Sequence, residues 1–200
     1  MKRIVLACGL FVHTMTIAQI NTEKNVWLVN DYQIGVSATN VLHNESMMGT
    51  THNTGYHVHF KLGAIHVRQF TLGLQLGYGG MRVGNSEFYG DFDYTKTQSV
   101  SPYVSMYIPL KNENQLEPYI SYEYIDYKSK HLSKEMDFDS NGLSLGLDFN
   151  YKFGTISYLT FGLKYSMQTM NIQTHPEWET FMNKHNYISA KIAVTFAKYR

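Results

Sequence analysis

LSLGLDFNYKF, residues 143–153, places Leu143, Leu145, Leu147, Phe149, Tyr151 and Phe153 on one parity and Ser144, Gly146, Asp148, Asn150 and Lys152 on the other. Successive side chains of a β-strand point to opposite faces, so this stretch is a strand with one apolar and one polar face. Its eleven residues exceed the roughly 5–6 of an ordinary globular strand and match the roughly 9–11 of a tilted membrane crossing.

The same period-two pattern recurs from about Tyr32 to Phe196 and predicts eight strands. The first, near 30–39, turns Tyr32, Ile34, Val36 and Ala38 outward and Gln33, Gly35, Ser37 and Thr39 inward. The second, near 55–65, sets Tyr56, Val58, Phe60, Leu62 and Ala64 against His57, His59, Lys61 and Gly63. The third, near 70–82, sets Phe70, Leu72, Leu74, Leu76 and Tyr78 against a Gly- and Gln-rich face. The fourth and fifth, near 99–110 and 116–128, carry Val104, Met106, Ile108, Leu110 and then Leu116, Pro118, Ile120, Tyr122, Tyr124 outward. Pro102, Pro109 and Pro118 lack a ladder donor and are expected near strand ends. Beyond the 143–153 run, the seventh carries Leu159, Phe161, Leu163, Tyr165 and Met167, and the eighth Ile188, Ala190, Ile192, Val194 and Phe196.

Connection lengths alternate. Tight links near 66–69, 111–115 and 154–156 separate longer polar stretches near 40–54, 84–98, 129–139 and 172–185. Short turns at one end and long loops at the other are the pattern of an up-and-down membrane barrel with both termini in the periplasm. A soluble ligand-carrying barrel would reverse the polarity, lining its lumen with bulky apolar residues. Here the inward set is small and polar, with Lys61, Lys152, Lys164 and Lys191 facing Glu117, Glu123 and Asp148, which predicts a neutralised interior network. The 16 Tyr, 11 Phe and 2 Trp, many near strand ends, fit interfacial girdles.

The first residues read as a leader: Lys2 and Arg3, an apolar stretch over 4–12, and small residues before a cut after Ala18. That stretch is well short of the ~20 residues of a spanning helix. The expected organisation is a signal peptide over 1–18 and one barrel domain over 19–200, with a lipidated Cys8 as the alternative. Loss of the leader removes the one cysteine, and with it disulfide or thiolate chemistry. It also takes the 17 basic residues to 15 against 16 acidic ones, a net charge near −1 that offers nucleic acid no cationic surface. A mean hydropathy of −0.29 agrees with strands that show lipid only half of their side chains.

In this pattern, carried from Tyr32 to Phe196, the chain resembles the small Gram-negative outer-membrane barrels of the OmpX and OmpA type and the porin-like barrel proteins of Bacteroidetes. The resemblance implies an eight-stranded antiparallel transmembrane β-barrel in the outer membrane. It implies partners in outer-membrane lipid, lipopolysaccharide and the barrel-assembly machinery, and loops that meet a host surface or a protein. Ile192, Val194 and Phe196 look like the family's C-terminal insertion signal, here followed by four more residues.

Three constellations contain residue types that could carry chemistry. His57 and His59 share the inward face, with His43 and His52 in the preceding loop, and two such imidazoles could reach one Zn²⁺ or Cu²⁺; a tetrahedral site needs four placed groups. The plainer expectation is hydrogen bonding to carboxylates such as Glu123. His131, Ser133 and Ser140, with Glu135 or Asp139 as nominal acid, look like pieces of the His-x-Ser-Asn motif of the lipid A deacylase family, but Lys134 and Phe138 stand where the motif needs Asn and His. The acidic tracts at 135–139 and 87–93 offer oxygen ligands without the spacing of a calcium loop. Phe88, Tyr89, Phe92, Tyr94, Trp178 and Phe181 are aromatics suited to a binding surface or a membrane interface. No catalytic, cofactor or metal set is complete, so the expected role is non-enzymatic, with a lipid A hydrolase or a narrow conduit as alternatives.

Overall fold

A computed structural model describes residues 26–42, 46–85, 92–131 and 134–197. Eight long strands follow one another as an antiparallel meander. They are β1 (Val26–Val41), β2 (His52–Val67), β3 (Phe70–Val83), β4 (Tyr94–Met106), β5 (Gln115–His131), β6 (Lys134–Lys152), β7 (Ser157–Met170) and β8 (Lys184–Ala197). A two-residue extension of β4, Ile108–Pro109, pairs with Leu116 and Gln115. Each strand pairs with its sequence neighbours, and β1 closes the ring against β8 from Asp31↔Ala197 to Val41↔Tyr187. Closure leaves no edge, so every backbone group within the wall can find a partner without water.

The alternation read from the sequence is the alternation of the wall. Ile34 is 55% exposed and its neighbour Gln33 2%; on β6 Leu145 is 51% exposed while Ser144 and Asp148 are fully covered. The apolar parity therefore lies outside and the polar parity inside, the reverse of a soluble carrier.

Four expectations are corrected. Ala64 does not face outward: a register shift between Gly63 and Ile65 makes a bulge that buries Ala64, turns Ile65 out and brings His66 into the lumen. The stretch 129–139 is not a long loop, because Ser129↔Met136, Lys130↔Glu135 and His131↔Lys134 continue the ladder to a two-residue tip. The β5–β6 ribbon consequently extends past its neighbours. The fourth strand starts at Tyr94 rather than near 99, which places Pro102 inside it; Pro102 pairs with Leu74 of β3, and the ladder to β5 passes from Val100 to Tyr103. The stretch 40–54 holds a helical turn, α1 (Met47–Thr51), capped by the Ser46 hydroxyl accepting from Gly49 N–H at 3.1 Å.

The tight turns sit together at one end with the start of β1 and the end of β8. Arg68 and Asn112 adopt left-handed φ of 55° and 59° there. The other end carries the connections over 42–51, 84–93 and 171–183, the last containing α2 (Glu179–Asn183). Residues 1–25, with the expected leader, Cys8 and Ala18, together with His43, the stretch 86–91, Leu132, Ser133 and the last three residues, lie outside the described residues.

Candidate functional site

The lumen is filled by side chains in layers. At its centre Lys61 donates to Glu117 at 2.9 Å and Asp148 at 3.2 Å, and Lys191 donates to the same Asp148 oxygen at 2.7 Å and to Gln33 Oε1 at 3.0 Å. Nearer the long-loop end, Lys164 donates to Glu123 Oε1 at 2.8 Å, while Ser144, Ser166, Gln168 and the Tyr187 hydroxyl donate to its Oε2. Three ammonium groups thus face three carboxylates inside the lumen, a geometry in which each charge depends on its partner. The sequence named all six of these residues. The fourth lysine, Lys152, lies at the tight-turn end and pairs with Glu113 instead.

Two tyrosines frame the central ions. The Lys61 ammonium stands 4.6 Å from the ring centroids of both Tyr103 and Tyr119. Each ring lies over a glycine directly across the ladder, Gly73 opposite Tyr103 and Gly146 opposite Tyr119. A Cβ at Gly146 would fall within the Tyr119 ring. Gly146→Val is therefore expected to cost about 1–3 kcal/mol, the usual penalty of overpacking; an unfolding midpoint in urea unchanged from wild type would refute the packing role of this pair.

An apolar plug closes the long-loop end. Met47 and Met48 of α1 reach into the mouth and pack with Val41, Met81, Phe92, Ile125, Tyr127, Met170 and Tyr187; Met136, Phe138, Ile172, Phe181 and Met182 cover them. Beside the plug, Thr51, His52, Thr95 and Ser129 form a hydrogen-bonded chain with steps of 2.7, 2.8 and 2.7 Å. The plug was not anticipated from the sequence.

The candidate residues distribute as follows. His57 is hydrogen-bonded to Thr39 at 3.2 Å and Thr97 at 2.8 Å, so hydroxyls rather than Glu123 hold it. His59 is buried beside it on the same face. Among the described residues no three His, Cys, Asp or Glu side chains converge as a metal group. Ser140 is fully buried in the lumen and donates to Gln168 at 3.2 Å, turned away from the lipid face where an acyl substrate would lie. Glu135 and Asp137 pair across the ribbon with Lys130 and Lys128, and Asp139 accepts from Asn171, so the acids are spread along a strand rather than gathered round one point. Phe92 belongs to the plug; Trp178 remains exposed, edge to face with Phe181 at 6.0 Å.

A closed eight-stranded meander with an apolar wall, a side-chain-filled polar lumen and a plugged mouth defines the class: the fold is that of the small outer-membrane β-barrels. Three solved structures of that class are similar to it. Neisserial surface protein A superposes with a TM-score of 0.61 at 11% identity, over 84% of this chain and 96% of that one. OprG from Pseudomonas aeruginosa gives 0.53 at 13% identity, over 86% and 98%. Ail, the attachment invasion locus protein of Yersinia pestis, gives 0.51 at 6% identity, over 85% and 99%. No family model and no curated protein sequence matches the chain.

Proposed function

We propose that the chain is an integral outer-membrane protein without a reaction of its own, in which the barrel supplies anchorage and the long-loop end meets the cell's surroundings. The observation that carries this reading is the continuous apolar belt on the outer wall. Leu163, 58% exposed, lies between Leu147 and Ala190 on the adjoining strands, and none of the described residues covers it. Water is a poor solvent for such a belt and hydrocarbon a good one. The short-turn end with both termini faces the periplasm, the leader over 1–18 is cleaved, and the assembly machinery inserts the barrel. The β5–β6 ribbon, the connection over 171–183 and exposed Trp178 supply the outward surface, with lipopolysaccharide and a host or protein surface as its partners.

Outer-membrane fractions run unheated and heated on a detergent gel are expected to show two mobilities, the faster one folded. A periplasmic protein with a single mobility would overturn the membrane reading. Planar bilayers loaded with the protein are expected to show no conductance steps, because ion pairs and plug fill the lumen; reproducible steps would make the conduit reading the correct one.

A further inference from the structure

Between the ion pairs and the plug lies a cavity of about 40 Å³. Its wall includes residues of two donor types seldom placed together by packing alone: Met48 and Met81, and His57, His59 and His185. His59 and His185 are each 3% exposed, and His59 Nε2 and His185 Nδ1 are buried without a hydrogen-bond partner among the described residues. A buried ring nitrogen without a hydrogen-bond partner is a costly arrangement that a bound species relieves. Nothing in the ion-pair network or the anchoring role uses it.

We propose that the plug end of this cavity is a binding site for a soft monovalent metal ion, Cu⁺, held by thioether sulfur from Met48 and Met81 and by imidazole nitrogen from His185, which stacks on Tyr187 of the plug. Sulfur donors disfavour Ca²⁺ and Mg²⁺ and select Cu⁺ among biological cations. A tetrahedral Zn²⁺ site is not built here, since no three imidazole or carboxylate groups converge. Charge points the same way. Glu123 on the cavity wall is already matched by Lys164 at 2.8 Å, leaving no spare anion to offset a divalent ion. One positive charge is far cheaper to bury than two, because solvation energy rises with the square of the charge. The plug holds two more buried methionines, Met47 and Met170.

The competing account is that methionines fill an irregular plug and that about two to four waters occupy the cavity, the number its volume admits. Copper affinity separates the two. The mature protein, untagged, is purified from outer membranes and titrated without oxygen against the coloured Cu⁺–bicinchoninate complex. One Cu⁺ per barrel is expected to leave the chelator, and the bound ion's X-ray absorption is expected to show both sulfur and nitrogen neighbours. Met48→Leu with Met81→Leu, a pair of near-isosteric exchanges, is expected to weaken retention at least tenfold, as is His185→Leu. Met167→Leu on the outer wall is expected to leave it unchanged. The heat-shifted gel band reports folding of each variant, and the methionine pair carries the test if His185→Leu fails to fold. No uptake from the chelator, uptake undiminished in the methionine pair, or equal retention of Zn²⁺ would each overturn the site.

Discussion

Asp148→Asn is expected to lower the unfolding free energy of the barrel by about 3–5 kcal/mol, the cost of leaving a buried charge without its counterion. Asp148 is fully buried, and one of its carboxylate oxygens accepts from both Lys61 and Lys191. The amide keeps the shape of the side chain and loses the charge, so two ammonium groups are left with Glu117 alone as a direct carboxylate partner. Urea unfolding in lipid vesicles, followed by fluorescence or by the heat-shifted gel band, reads the effect. A loss below about 1 kcal/mol, the range of solvent-screened surface pairs, would show that water reaches these ions. Replacing the whole set, with Lys61→Met, Glu117→Gln, Asp148→Leu and Lys191→Met together, is expected to recover most of the loss, since buried ion pairs contribute little over well-packed apolar groups.

Leu163→Arg carries the second large effect, on the opposite face of the wall. Its neighbours Leu147 and Ala190 are apolar, and Phe161 and Tyr165 flank it along the strand. A guanidinium near the bilayer midplane costs about 2–4 kcal/mol, falling to about 0–1 near the interfaces. Phe153→Arg, at the tight-turn end where the side chain is also exposed, is therefore expected to cost far less. The difference between the two positions is a measure of depth. Equal and small effects at both would indicate that water, not lipid, surrounds the wall.

The wall and the ion pairs were legible in the sequence because both follow from parity. Once Leu143 to Phe153 fixes the outward set of one strand, Asp148 must point inward, and Lys61 and Lys191 follow from their own strands. Parity fails where the period breaks. The bulge at Ala64 adds one residue with no compositional mark, since Ala is tolerated on either face. The ribbon over 129–139 is rich in charge and reads as loop, yet its ladder is held by opposite charges across the pair, Lys128 with Asp137 and Lys130 with Glu135. The plug did leave a trace: Val41, Met81, Ile125 and Met170 are apolar residues on the inward parity, each at the long-loop end of its strand, and Met47-Met48 is an apolar pair in a polar stretch. Read together, those six positions announce that the lumen turns from polar to apolar at its mouth. What parity could not supply was the depth at which imidazoles of different strands meet, because that depends on the shear between strands.

The seam between β1 and β8 also dictates how the chain can mature. The hydrogen bond from Gln33 to Thr195 joins groups 162 positions apart, so nothing local rehearses it. Until the fourteen residues of β8 arrive, the sheet is a curled sheet with two raw borders, each able to pair with a stranger. A product truncated before Lys184 would therefore be more than a weaker barrel: it would be an adhesive fragment, and a cell making this protein has reason to destroy it rather than store it.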